Sequence, residues 1–329
     1  MDLYSSILDI VGNTPMVRLT TGMDPDGPKA YAKLEYQNPT GSVKDRMALH
    51  IIRKAVEEGR LKRGDTVVDN TSGNTGSSLA FVATLFGLKA VLTTPEKTSK
   101  EKVDLIKSYG ARVIVTPTEA SHDDPEGCFM MARQLAIENG WFDLNQYDSQ
   151  ENVEAHYLTT GPEIWNDTGG RVTHFVAGIG TGGTMSGVAR YLKEQNPDVT
   201  TVAVDPEGSI FAEYIHSRKV TEGSIYKVEG IGSDVVTGAL HPDLIDSVIT
   251  VSDSDSFRRA REVTSCDGIS AGGSSGAVAV AIEKVARSAE SDALIVGIFA
   301  DSGIRYLSKC YNDEWMVEQG FLNSMESGK

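Results

Sequence analysis

The chain has 329 residues, 40% hydrophobic and 23% charged, a globular composition long enough for two lobes. Its net charge of −15 argues against nucleic acid or an anionic membrane surface as a partner. No run of about 18 apolar residues occurs and the N-terminus lacks a basic, apolar leader, so we expect no membrane span, no signal peptide and a cytoplasmic location. Cys128, Cys266 and Cys310 lie far apart without metal-ligand spacing, which implies free, mostly buried thiols and no metal site.

In chain order, 5–19 reads as a short helix, a turn at Gly12-Asn13-Thr14-Pro15 and a strand over 16–19. A strand over 30–34 leads into Asn38-Pro39-Thr40-Gly41-Ser42-Val43-Lys44-Asp45-Arg46, with Ser42 as N-cap and a helical pattern over 47–55. Strands over 66–69, 90–93 and 112–116 alternate with helices over 77–86 and 99–109. A polar loop and helix fill 122–138, a loop 145–148 and a helix 151–165. Beyond them come strands over 174–177, 201–204, 248–251 and 293–299, and helices over 185–194, 253–265, 277–287 and 302–309. Residues 206–242 are rich in loops, and the tail 323–329 reads as disordered. Helices alternating with short apolar strands define an α/β protein with parallel sheets.

Four loops carry chemistry. Lys44 stands at a helix start, where the backbone dipole disfavours a cation. The same dipole, together with burial, lowers the lysine pKa and favours the neutral amine, the form that attacks an aldehyde cofactor. A surface lysine on an ordinary helix would need none of this. Gly178-x-Gly180-x-x-Gly183 follows a strand and opens a helix, with Asp205 at the end of the next strand, so it formally matches the dinucleotide fingerprint. Thr181 and Thr184 add hydroxyls suited to a phosphate monoester. This loop implies a phosphate and leaves the ligand open. Thr71-Ser72-Gly73-Asn74-Thr75-Gly76 has the same design and suits a carboxylate, or is a capped turn. Ser274, in Gly272-Gly273-Ser274-Ser275-Gly276, is placed to bond a ring nitrogen or to serve as an N-cap.

Together, the lysine, phosphate cradle, carboxylate loop and serine describe a pyridoxal phosphate site. The sequence resembles the fold-type II pyridoxal phosphate enzymes, the cysteine synthase and cystathionine β-synthase family, over essentially its whole length. The resemblance rests on Gly12 to Pro15, Ser42 to Arg46, Thr71 to Gly76, Gly180 to Thr184 and Gly272 to Ser274, in the family's order. The stretches 204–209 (VDPEGS), 226–232 (YKVEGIG) and 312–316 (NDEWM) are most similar to the catalytic core of cystathionine β-synthase. Asn38 to Ser42 is similar instead to sulfhydrylases that use O-phosphoserine. Asp69-Asn70 departs from the usual Glu-Pro or Glu-Ala, and Ser233 and Leu88 stand where the animal synthase pattern has tyrosines.

The resemblance implies a tryptophan synthase β-like fold of two lobes, each with a mostly parallel twisted sheet flanked by helices. Residues 1–39 and 151–329 would form the larger, cofactor-binding lobe, and 40–150 a smaller mobile lobe carrying the carboxylate loop. Lys44 would hold pyridoxal 5′-phosphate and act as the catalytic base. Gly180, Thr181, Gly182, Gly183 and Thr184 would bind its phosphate, Asn74 its ring 3′-oxygen and Ser274 its pyridine nitrogen. Thr71, Ser72, Gly73 and Thr75, with Gln146 and Gly230 beside them, would bind the substrate. The implied reaction is β-replacement on L-serine or an activated serine by a thiol, foremost homocysteine giving L-cystathionine. Cysteine synthesis from O-acetylserine or O-phosphoserine with sulfide, and a related synthase using an amine, are the alternatives. A nicotinamide oxidoreductase and a non-catalytic module that binds a partner's tail are rivals from other classes. A homodimer is implied, and neither haem nor tandem regulatory modules are expected.

Overall fold

The computed structural model describes residues 3–71, 73–96, 98, 100–117 and 124–323. Strands β1 (Met16–Leu19), β2 (Lys29–Leu34), β3 (Thr66–Asn70), β4 (Lys89–Pro95), β5 (Arg112–Thr116), β6 (Phe142–Asp143), β7 (His174–Gly178), β8 (Thr200–Pro206), β9 (Ser247–Val251) and β10 (Leu294–Phe299) form two sheets. One has the order β1-β2-β10-β7-β8-β9, parallel except where β1 runs against β2. The other, β5-β4-β3-β6, is wholly parallel. Every strand of the four-stranded sheet falls within 66–143, and every strand of the six-stranded sheet lies outside 40–150.

Helices α1 (Lys44–Glu57), α2 (Asn74–Phe86), α3 (Lys100–Ser108), α4 (Cys128–Asn139), α5 (Gln150–Leu158), α6 (Thr160–Asp167), α7 (Gly183–Gln195), α8 (Phe211–Ser217), α9 (Asp253–Asp267), α10 (Gly273–Ala286) and α11 (Asp313–Glu318) flank the sheets. Parallel strands covered on both faces are apolar throughout, as in Leu294–Phe299 (LIVGIF). Successive residues serve opposite cores. Val176, Val202 and Val204 pack with Val278 and Ile282 of α10, whereas Phe175, Ala177 and Ala203 pack with Met185 and Val188 of α7. Leu88 is buried in the core of the four-stranded sheet.

The structure corrects several boundaries. Four helices start two to four residues earlier than their patterns suggest, so Lys44, Asn74, Thr184 and Ser274 all lie in first turns. Val43 occupies the N-cap position of α1, and Ser42 Oγ accepts a hydrogen bond from Lys44 N at 3.3 Å without capping. The helix over 151–165 is two helices, broken at Thr159, whose φ of −124° is not helical. In place of a helix over 302–309 there is a 3-10 turn at Gly303–Tyr306, and α8 and α11 are additions. Cys128, Cys266 and Cys310 remain thiols, but Cys266 is exposed and only Cys310 is buried. Ser72 and residues 324–329 of the tail lie outside the described residues.

Candidate active site

The βα junctions converge on a cavity of about 370 Å³ at the carboxyl ends of β3, β7 and β10. Lys44, Thr71, Gly73, Asn74, Thr75, Gln146, Gly180, Thr181, Gly230 and Ser274 line it. Gly182 and Thr184 line an adjoining recess that shares Lys44 and Ser274. Gly183 lines neither, though its N–H bonds Thr181 Oγ1 at 3.4 Å.

Lys44 is the first residue of α1. Its loop is clamped to the end of β10, where Val43 N donates to Ala300 O at 2.9 Å and Ser42 bridges Asp301. Burial lowers the Lys44 pKa and Asp301 opposes the shift. The neutral amine expected at this helix start is therefore favoured, through desolvation.

Asp301 is the central residue that sequence reading missed. Asn74 Nδ2 and Tyr306 OH donate to its Oδ2 at 2.8 and 2.7 Å. Its Oδ1 is buried without a hydrogen-bond partner among the described residues. Burial raises the carboxyl pKa. A Cβ on Gly272 would stand 2.0 Å from that oxygen, so only glycine fits there. An acid two residues beyond the end of a buried apolar strand is the available signal.

In the carboxylate loop, Thr71 Oγ1 accepts from Gly73 N and Gly76 N, each at 3.1 Å, and shapes the turn. Thr75 Oγ1 donates to Gln146 Oε1 at 2.6 Å, and Gln146 Nε2 donates to Asn70 O at 2.9 Å. These bonds hold the start of α2, where amides lack intrahelical partners. Ser233 is turned away, its hydroxyl bonding Val235 O at 2.8 Å.

The second cradle opens α7. Gly182 has φ +89°, and a Cβ there would lie 2.6 Å from Leu240 Cα, so the turn requires glycine. Asn152 Nδ2 donates to Thr181 Oγ1 at 2.9 Å. Thr184 Oγ1 lies 3.1 Å from His156 Nε2, and His156 Nδ1 lies 2.8 Å from Thr160 Oγ1. Burial, reinforced by Arg46 and Lys44, holds His156 well below the usual imidazole range, so it is neutral. Neither Asn152 nor His156 was legible from spacing.

Ser274 is the second residue of α10 and Gly272 holds the cap position, so the plain N-cap role is corrected. Its hydroxyl borders the cavity and bonds no protein group among the described residues. Asp205, the acid of the dinucleotide reading, is buried outside the cavity. Its Oδ2 accepts from Ala212 N at 2.8 Å, and burial pushes the carboxyl up to about 6.

The donor set fits pyridoxal phosphate. A helix N-terminus with two hydroxyls suits a phosphate monoester. A desolvated amine suits an aldehyde. An unpartnered serine hydroxyl suits a ring nitrogen. Among the described residues no group of three or more His, Cys, Asp or Glu is arranged to hold a metal ion. No described helix is long and apolar enough to cross a membrane.

The profile of the family described as pyridoxal-phosphate dependent enzyme matches residues 7–301, and the chain belongs to that family. Relatives within it carry the names cysteine synthase and cystathionine β-synthase. The chain is 41% identical to a cysteine synthase of Staphylococcus aureus (strain Mu50 / ATCC 700699) over 92% of its own length and 95% of the relative's. It is also 41% identical to a cystathionine β-synthase of Apis mellifera, over 97% of this chain but only 64% of that protein. The crystal structure of an O-ureido-L-serine synthase superposes with a TM-score of 0.87 and 35% identity, covering 96% of this chain and all of the other. The fold is thus the fold-type II arrangement, and the protein is a pyridoxal phosphate enzyme.

Proposed function

We propose that this enzyme replaces the β-substituent of L-serine, or of an activated serine, with the thiol of homocysteine, giving L-cystathionine. With serine the exchange balances as serine plus homocysteine giving cystathionine plus water: the Cβ–O bond breaks and a Cβ–S bond forms. One observation carries the choice of nucleophile. The 226–232 stretch, most similar to cystathionine β-synthase, walls the cavity through Tyr226, Val228, Glu229, Gly230, Ile231 and Gly232. In this reading that synthase-like segment is the one that meets the second substrate.

The cofactor, when bound, supplies an aldehyde that captures the substrate amine and a ring that stabilises charge developing at Cα. In this reading Gly180 to Thr184 hold its phosphate, Asn74 its 3′-oxygen, and Ser274 its ring nitrogen through a neutral hydroxyl. Thr71, Ser72, Gly73 and Thr75, with Gln146, receive the substrate carboxylate, and Gly230 borders the incoming thiol. Lys44 removes the Cα proton as its neutral amine. With serine it passes that proton to the departing hydroxyl, which leaves as water; it then takes the proton the thiol loses on adding and delivers it to Cα of the product. Closing of the 40–150 lobe over 1–39 and 151–329 excludes water.

Cysteine synthesis is the second reading, favoured by the near-complete overlap with the bacterial cysteine synthase. The test supplies purified holoenzyme with L-serine, O-acetylserine or O-phosphoserine, each with homocysteine or with sulfide, and reads products by mass spectrometry. Cystathionine is expected. Cysteine from an activated serine without cystathionine would move the protein to the sulfhydrylases.

A further inference from the structure

Glu229 lies on the cavity wall and accepts from two ammonium groups, Lys102 Nζ of α3 and Lys309 Nζ beyond β10. Lys102 borders both the cavity and an outer groove of about 670 Å³ that Lys309 also lines. The trio therefore stands where the reaction cavity meets the exterior. The Lys102 side chain is 11% exposed and that of Glu229 28%, too buried for a solvated surface pair.

The cluster is tied inward to the reacting groups. The Lys102 ammonium lies 5.5 Å from the centre of the Tyr306 ring, and Tyr306 bonds Asp301, which holds Asn74. The same ammonium is 3.5 Å from the point a Cβ on Gly73 would occupy, so it overhangs the carboxylate loop. Within the trio, two ammonium groups share one carboxylate.

We propose that Lys102, Glu229 and Lys309 bind the α-ammonium and α-carboxylate of the incoming nucleophile, selecting an amino-acid thiol over sulfide. The inference rests on the β-replacement reading above. A zwitterion can exchange into the cluster with every charge still paired: its ammonium on Glu229, its carboxylate on Lys102 and Lys309. Its thiol then points inward past Tyr306 toward the site of Lys44. Sulfide has no head group for this site to hold.

The test uses Glu229→Gln, Lys102→Met and Lys309→Met holoenzymes, each checked for cofactor absorbance and melting temperature. The readout is kcat/KM for homocysteine relative to sulfide, and relative to mercaptobutyrate (no ammonium) and mercaptopropylamine (no carboxylate). Glu229→Gln should lower the homocysteine-to-sulfide ratio about tenfold and abolish the preference of homocysteine over mercaptobutyrate. Either lysine variant should abolish the preference over mercaptopropylamine. Equal losses for sulfide and homocysteine would make the trio a bridge between the sheets and overturn the inference. If the wild type makes no cystathionine, the homocysteine reading fails, and L-methionine becomes the probe as a competitor of sulfide. Inhibition relieved by Glu229→Gln would still support the subsite; inhibition that is absent, or indifferent to the variants, would overturn it.

Discussion

Asn74 and Asp301, 227 positions apart, are joined by a 2.8 Å hydrogen bond from Nδ2 to Oδ2 that ties the first turn of α2 to the end of β10. The bond spans the two sheets beside Lys44. Asp301→Ala should cost about a hundredfold in turnover by releasing Asn74. Because Asp301 raises the Lys44 pKa, its loss should also shift the lysine's titration to lower pH. The pH dependence of the rate at which the apoenzyme captures pyridoxal phosphate reads that shift, and an unmoved profile would separate Asp301 from Lys44.

Lys44→Ala should reduce turnover by about ten-thousandfold while leaving the far-ultraviolet circular dichroism unchanged. Among the described residues the Lys44 side chain makes no hydrogen bond, and the contact to Ser42 comes from its backbone N–H, which alanine keeps. Retained turnover would refute its role as base.

His156→Phe should weaken pyridoxal phosphate binding about tenfold by freeing Thr184 Oγ1, and Thr184→Val should do the same. The two losses should not add in the double variant. Since burial keeps His156 neutral, wild-type cofactor affinity should show no imidazole titration near neutral pH. Equilibrium dialysis measures both effects.

Ser274→Asp should slow β-replacement and alter the absorbance of the bound cofactor, because a carboxylate facing the cavity favours a protonated ring nitrogen. An unaltered spectrum would reduce Ser274 to a packing residue.

Glu163 joins Arg46 and Lys33 in a buried network beneath the Gly12 to Pro15 turn. Burial acts to raise its carboxyl, but Arg46 and Lys33 hold it down at about 2. A depressed carboxyl stabilises the fold above its ordinary value of 4.5 and loses that contribution as pH falls toward about 2. Glu163→Gln should therefore cost about 3 kcal/mol at neutral pH, and much less at the acid end of that window. Denaturant titrations at the two pH values check this.

The alternation of strands and helices was legible because buried parallel strands are apolar throughout and glycines end them at the βα turns. The same local rules misplaced four helix starts. Glycine, serine and asparagine have low helix propensity, and at α2, α7 and α10 tertiary packing draws them into the first turn. Thr159 breaks a continuous helical pattern for a reason no periodicity carries, since it re-aims the chain between α5, which packs on α1 and α7, and α6, which packs on α7.

By itself the sequence determined the α/β class, the lysine, the glycine-rich cradles and the cofactor they suit, because each depends on residues adjacent in the chain. Only the tertiary structure decided that the cradles share a cavity with Lys44, that Asp301 orders Asn74, that His156 backs Thr184, and that Glu229 meets Lys102 and Lys309 at the mouth. Those pairings join segments tens to hundreds of residues apart. Buried hydrogen bonds and ion pairs form wherever packing brings donors to acceptors, and spacing along the chain carries no record of them.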